Sequence, residues 1–188
     1  SLVASSVLSL LLASCATTGD VLPQIADGTR AELALLETTD LHTNIRSYDY
    51  FRLAEDKTVG FERTATLITQ ARKQFANTLL FDNGDTIQGT ALSDYQAQVN
   101  PLACDQVLAM YKVMNDLGYD AGGIGNHEFN YGLSFLSQAT GSRFNVNLVA
   151  GEKPIPAQPC AGPNFPLVLA NVLSVKDRQP LFKPYVIL

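Results

Sequence analysis

The sequence predicts an α/β domain whose strands are partly parallel, on three observations. Short apolar runs of strand character alternate with stretches of helical spacing, which is the pattern of strands joined by helical crossovers. Three polar clusters, Asp40-x-His42, Gly84-Asp85 and Gly125-Asn126-His127-Glu128, each stand where a strand is expected to end. The length of 188 residues, 46% of them hydrophobic, suits one domain with a real core.

The elements follow in order. Residues 31–39 (AELALLETT) read as a strand running into Asp40. A loop with Tyr48 and Tyr50 precedes a helix over 61–76, where Phe61, Ala65, Ile68, Ala71 and Phe75 keep helical spacing. Residues 78–82 (TLLFD) make a short apolar strand ending at Asn83-Gly84-Asp85. Asn100-Pro101 reads as a helix start, with Asn as cap and Pro in the first turn. Val107, Leu108, Tyr111, Met114 and Leu117 give that helix one apolar face, and Gly118 stops it. Residues 119–124 form a glycine-rich strand, and 133–140 a short helix. Further strands are expected over 144–149, 167–172 and 185–188.

The beginning of the chain reads as an export signal. Residues 2–13 form an apolar run shorter than the roughly 20 residues that span a bilayer. The run ends in Leu12-Ala13-Ser14-Cys15, which resembles the lipobox of bacterial lipoproteins, where the cysteine is lipidated. Residues 1–15 are thus expected to be a lipoprotein signal peptide, 16–30 a tether and 31–188 the domain. The protein would be exported by a bacterium into the periplasm or anchored at its outer membrane, touching membrane only through lipid on Cys15. Cys104 and Cys160 then remain as an even pair in an oxidising compartment, as a disulfide or as two free thiols, with Cys104 in a helix.

The net charge of −5 leaves no basic surface for a nucleic-acid polymer. Any nucleotide chemistry should therefore concern small substrates. The intervals between the three clusters each hold one helix and one strand, so all three can converge on one edge of the sheet. Carboxylate, imidazole and amide oxygen suit divalent Mn, Zn, Fe or Mg, and a carboxylate can bridge two such ions. Glycines beside Asp85 and Asn126 allow close backbone approach. His127-Glu128 is no zincin site, because Tyr131 stands where a second histidine would be.

In these blocks the sequence resembles the calcineurin-like metallophosphoesterases, which carry Asp-x-His, Gly-Asp and Gly-Asn-His-Glu in that order. TTDLHTNIRSYDY, GFERTATLI, DNGDTIQGT and GNHEFNYG narrow the resemblance. They look like the periplasmic bifunctional 2′,3′-cyclic-nucleotide 2′-phosphodiesterase/3′-nucleotidases of the 5′-nucleotidase family. The resemblance implies a metallophosphoesterase sandwich of mixed sheets flanked by helices, and two divalent metal ions. It makes Asp40 and His42 ligands of one metal, Asp85 the bridge, Asn126 a ligand of the second metal and His127 the catalytic histidine. Glu128 would serve packing or a supporting hydrogen bond, or stand as a solvated turn residue. Asn130 takes the place where 5′-nucleotidase relatives pair the catalytic histidine with aspartate. The implied reaction opens 2′,3′-cyclic nucleotides to 3′-nucleotides and then releases nucleosides, in nucleotide scavenging. A 5′-nucleotidase or nucleotide-sugar hydrolase is the nearest alternative, and a non-catalytic surface lipoprotein that binds ligand is one of another class. The family completes its metals with later histidines, in a Gly-His-x-His block among others, whereas this chain has 2 histidines in all. A truncated domain is therefore expected, inactive alone and without the family's C-terminal nucleotide-binding domain.

Overall fold

The structure, a computed structural model, describes residues 25–188. The expected signal peptide, the lipobox-like sequence with Cys15 and most of the expected tether lie outside the described residues. Ser1–Ala31 and Glu32–Leu188 are separate units. The described part of the first, residues 25–31, holds one turn closed by the Thr29 amide donating to the Ala26 carbonyl at 3.1 Å.

In the second unit the strand runs of the sequence become Ala34–Thr38 (β1), Thr78–Asp82 (β4), Ala121–Gly123 (β5) and Leu167–Val168 (β6). They form one sheet in the order β1-β4-β5-β6, every neighbouring pair parallel. Helix α1 (Phe61–Gln74) makes the first crossover and buries Phe61 and Ile68 on the face its spacing predicts. The second crossover holds α2 (Ala91–Asp94), a π-helical turn at Tyr95–Val99, and α3 (Ala109–Leu117). Helix α4 (Gly132–Thr140) follows β5, after a 3-10 turn at His127–Phe129. A ribbon of β2 (Tyr48–Asp49) and β3 (Ala54–Glu55) is antiparallel. Mixed sheets were expected; among the described residues the four-stranded sheet is wholly parallel, and paired antiparallel strands occur only in this ribbon.

The core lies under α1, α3 and α4 and is threaded by aromatic contacts. Tyr119 stands 6.2 Å from Phe61 and 5.8 Å from Phe165, and Tyr111 stands 6.1 Å from Phe165. Leu80, Leu108, Met110 and Leu136 are fully buried among them. A polar chain crosses this core: the Tyr119 hydroxyl lies 2.8 Å from that of Thr38, which donates to Asp82 at 2.7 Å.

Several expectations need correction. Asn100-Pro101 ends a helix and does not start one. Proline disfavours helical geometry in the residue before it, and Asn100 leaves the helix at φ −125°, ψ 79°. Leu102 is buried and Cys104 is bonded to Cys160, so the chain runs irregularly until α3 begins at Ala109. Cys104 and Val107 are therefore outside helices. Residues 144–149 are not a strand, because Phe144 packs on Phe182 at 5.2 Å and the Asn145 carbonyl accepts from the Ser174 hydroxyl, in place of a ladder. Residues 185–188 form no strand, and Tyr185 and Ile187 are exposed. Among the described residues no helix is long and apolar enough to cross a membrane.

Candidate metal centre

The parallel pairing of β1 with β4 continues past both strand ends into the loops that carry the polar clusters. The Asp40, His42 and Thr43 amides donate to the carbonyls of Gly84, Asp85 and Thr86 at 3.1, 2.9 and 2.9 Å. To keep this pairing Asp40, His42, Thr43 and Asp85 adopt positive φ of 54°, 48°, 55° and 57°. Non-glycine residues populate that region sparsely and at a cost, so the surrounding bonds must hold them there.

The third loop is fastened to the second by a buried anion. Glu128 is fully buried, and its carboxylate accepts four backbone N–H groups. Oε2 takes those of Asp85 at 2.9 Å and Gly125 at 2.6 Å, and Oε1 those of Thr86 at 2.5 Å and Ile87 at 3.0 Å. Of the roles open to Glu128, the solvated turn residue is thereby ruled out. Gly125 allows the close approach: a Cβ there would lie 2.2 Å from Asp85 Oδ1. The loops after β1, β4 and β5 thus meet at the carboxyl edge of the sheet, where such sheets place ligands.

The structure brings together His42, Asp85 and His127, whose ligating atoms all lie within 4.8 Å of one another. The two imidazoles meet edge to face, with centroids 4.8 Å apart. His42 Nδ1 is 2.7 Å from the Gln88 carbonyl, which can only accept. The Nδ1 position therefore carries a proton, which leaves Nε2 as the ring nitrogen that can ligate a metal. Asp40 is exposed, with Oδ1 3.6 Å from His42 Nε2. Asp85 Oδ1 accepts from the His127 amide at 2.8 Å. Asn126 opens the 3-10 turn without a capping bond from its side chain, which is exposed. An imidazole held through Nδ1, two carboxylates and a carboxamide at one edge are a donor set that fits divalent metal.

Two residues of the site were missed from sequence. Gln88 Oε1 lies 2.9 Å from His127 Nδ1 and accepts from Asn130 Nδ2 at 3.0 Å. Its place three residues after Asp85, matching Asn130 three after His127, was the available signal. Asp82, at the end of β4, accepts from the Thr38 and Thr86 hydroxyls at 2.7 and 2.6 Å and from the Gly84 amide at 3.0 Å. Burial nevertheless raises its pKa above the ordinary carboxylate value, since desolvation outweighs these bonds and the nearby Glu128 adds repulsion.

No protein-family model matches the chain. Over 180 residues, 96% of the chain, it is 42% identical to the 2′,3′-cyclic-nucleotide 2′-phosphodiesterase/3′-nucleotidase of Yersinia enterocolitica. It is 42% identical over 156 residues, 83% of the chain, to the protein of the same description from Salmonella typhimurium. The crystal structure of the calcineurin-like phosphoesterase YfkN from Bacillus subtilis superposes at a TM-score of 0.69 with 38% identity, over 83% of the chain. The chain belongs to the calcineurin-like phosphoesterases of the 5′-nucleotidase family. It spans 24% and 21% of the lengths of the two curated relatives and 41% of the solved chain. Calcineurin-like phosphoesterases are metal-dependent, and His42, Asp85 and His127 form a group that could hold a metal ion.

Proposed function

We propose that this chain carries part of the active site of a two-metal phosphoesterase that hydrolyses small nucleotides. The preferred substrates are 2′,3′-cyclic nucleotides, opened to 3′-nucleotides and then dephosphorylated to nucleosides. The observation that carries the reading is the convergence of His42, Asp85 and His127 within 4.8 Å at the sheet edge. The printed activity of relatives 42% identical to the chain supports the substrate class.

In this reading Asp40 and His42 hold one metal, Asp85 reaches both and Asn126 holds the second. When bound, divalent Mn, Zn, Fe or Mg neutralises phosphoryl charge and makes water nucleophilic near neutral pH. His127 stands beside this group and delivers a proton to the departing ribose oxygen, a contribution of about 10²–10⁴-fold. Glu128 holds the loops in place and touches no substrate.

The remaining part of the reading concerns location. The Leu12-Ala13-Ser14-Cys15 sequence supports export and lipidation at Cys15, with stable anchoring requiring more than one acyl chain. Membrane fractionation of Cys15→Ser, expressed with its complete signal, should find the variant in the soluble fraction.

The activity is tested on the full-length protein, stripped with chelator and reloaded with Mn²⁺. Turnover of 2′,3′-cyclic AMP and 3′-AMP should return with the metal and exceed that of 5′-AMP. A preference for 5′-AMP would favour the 5′-nucleotidase alternative. No turnover of any nucleotide after reloading would leave a binding protein.

A further inference from the structure

Gln88 lies between the two histidines and contacts each of them with a different oxygen. Its main-chain carbonyl lies 2.7 Å from His42 Nδ1, and its side-chain Oε1 lies 2.9 Å from His127 Nδ1. We infer that Gln88 is a positioning residue for both imidazoles, its carbonyl fixing the metal-ligand form of His42 and its carboxamide oxygen aiming His127. The inference rests on the phosphoesterase reading and adds to it the residue that orients the proton donor.

The chemistry of three atoms decides the second contact. Gln88 Oε1, Asn130 Nδ2 and His127 Nδ1 lie within 3.0 Å of one another. Asn130 Nδ2 only donates. If His127 Nδ1 were bare, its lone pair would face the lone pairs of Oε1 at 2.9 Å. With a proton on Nδ1, Oε1 accepts from both neighbours and no lone pairs collide. Nε2, on the opposite edge of the ring, stays uncommitted. Asn130, which the sequence offered as the partner of His127, lies 2.9 Å from the same Nδ1 and also donates to the Gln88 oxygen. The carboxamide hydrogen bonds found here all go to Oε1, so a carboxylate could replace the amide.

Gln88 can serve as a reference point because its neighbours are fixed. The amides of Asp85, Thr86 and Ile87 before it all donate to the buried Glu128. After it, Gly89 lies against His42, where a Cβ would stand 2.7 Å from His42 Cβ. Thr90 and Ser93 then form a capping box at the start of α2. His42 is held by a main-chain oxygen that any residue supplies, whereas His127 depends on the side chain. Substitution should therefore separate the two.

In the full-length protein loaded with Mn²⁺, Gln88→Met should keep wild-type metal content and a nucleotide KM within threefold. Its kcat on 2′,3′-cyclic AMP should fall about 10–100-fold, the range for lost supporting hydrogen bonds. Gln88→Glu restores an acceptor and should recover kcat to within about threefold. If Gln88→Met keeps its kcat, or loses metal in step with kcat, the inference fails. If Gln88→Glu falls as far as Gln88→Met, the acceptor is irrelevant and the inference fails as well, even should the methionine variant not fold. A wild-type protein that turns over no nucleotide would instead overturn the phosphoesterase reading on which this rests.

Discussion

Two carboxylates, Asp82 and Glu128, are buried within the loops that build the site, and their surroundings treat them differently. Glu128 is met by four N–H donors, so its charge is satisfied and ties three loop residues to Gly125. Glu128→Gln would turn an NH₂ toward two of those donors. Leaving buried donors unpaired costs about 1–3 kcal/mol each, so chemical denaturation should show a loss of at least 2 kcal/mol on that scale. Asp85→Asn should do the reverse: Oδ1 still accepts from His127, so stability stays near wild type while metal content falls. Equal stability losses in the two variants would mean that Glu128 is not the fastening point. Asp82 has a pKa raised by burial, so the folded state favours its protonated form. Its stabilising contribution is complete below the unfolded value and is lost as pH rises through the folded value. Asp82→Asn should thus gain stability relative to wild type as pH climbs across that window, then level off. Its Nδ2 can donate to the Thr38 hydroxyl, which can then donate to Tyr119. Denaturation midpoints at pH 4 and 7 measure this, and a variant that loses ground between them contradicts the burial argument. The convergence of His42, Asp85 and His127 was legible because each lies in a compact motif where a strand ends. The contacts of Gln88 were not legible, because His42, His127 and Asn130 come from other segments of the chain, and those of Asp82 only in part, because Thr38 lies on another strand while Gly84 and Thr86 are close by.

At the scale of elements, what the sequence settled was local. The spacing of Phe61, Ala65 and Ile68 gave α1, TLLFD gave β4, and Gly118 at φ 65° stops α3 as expected. The segment 91–108 misled because the π-helical turn, Pro101 and the Cys104 bridge act together through tertiary contacts, such as Gln96 Oε1 accepting from the Ala109 amide at 3.2 Å. Helix α2 is only four residues long, so its cap matters disproportionately. Thr90 Oγ1 accepts from the Ser93 amide at 3.4 Å, and Ser93 Oγ accepts from the Thr90 amide at 3.0 Å. Thr90→Ala removes one half of this box and should cost about 1 kcal/mol, the usual value for a lost N-cap. The same substitution should also lower kcat more than KM, because Gln88 hangs from the start of this helix. A variant with unchanged denaturation midpoint would show that the cap contributes nothing here.

Across the whole described unit, the metal-centre loops lie at one edge of the sheet, and a different device fixes the long segment that follows α4. Residues 151–166 are rich in glycine and proline and form no strand or helix of their own. Cys160 is joined to Cys104, 56 residues earlier, and the Ala161 amide donates to the Cys104 carbonyl at 2.7 Å. This pins the segment to the loop before α3 and delivers the chain to Phe165 and β6, which close the core over Tyr111 and Tyr119. From sequence the two thiols were an even pair, bridged or free, and the structure forms the bridge. In the chain-entropy account, closing a loop of this length removes about 4 kcal/mol of freedom from the unfolded state. Cys104→Ser with Cys160→Ser, in protein matured in an oxidising compartment, should therefore lower the denaturation midpoint by an amount of that order. Metal content and kcat of the folded variant should stay near wild type, because the hydrogen bonds of His42, Asp85, His127 and Gln88 run to one another and to their loops and not to residues 151–166. Adding reductant should move wild type to the variant's midpoint and leave the variant unmoved. A wild-type midpoint insensitive to reductant would show that the bond carries no stability, and that residues 151–166 are held by their packing alone.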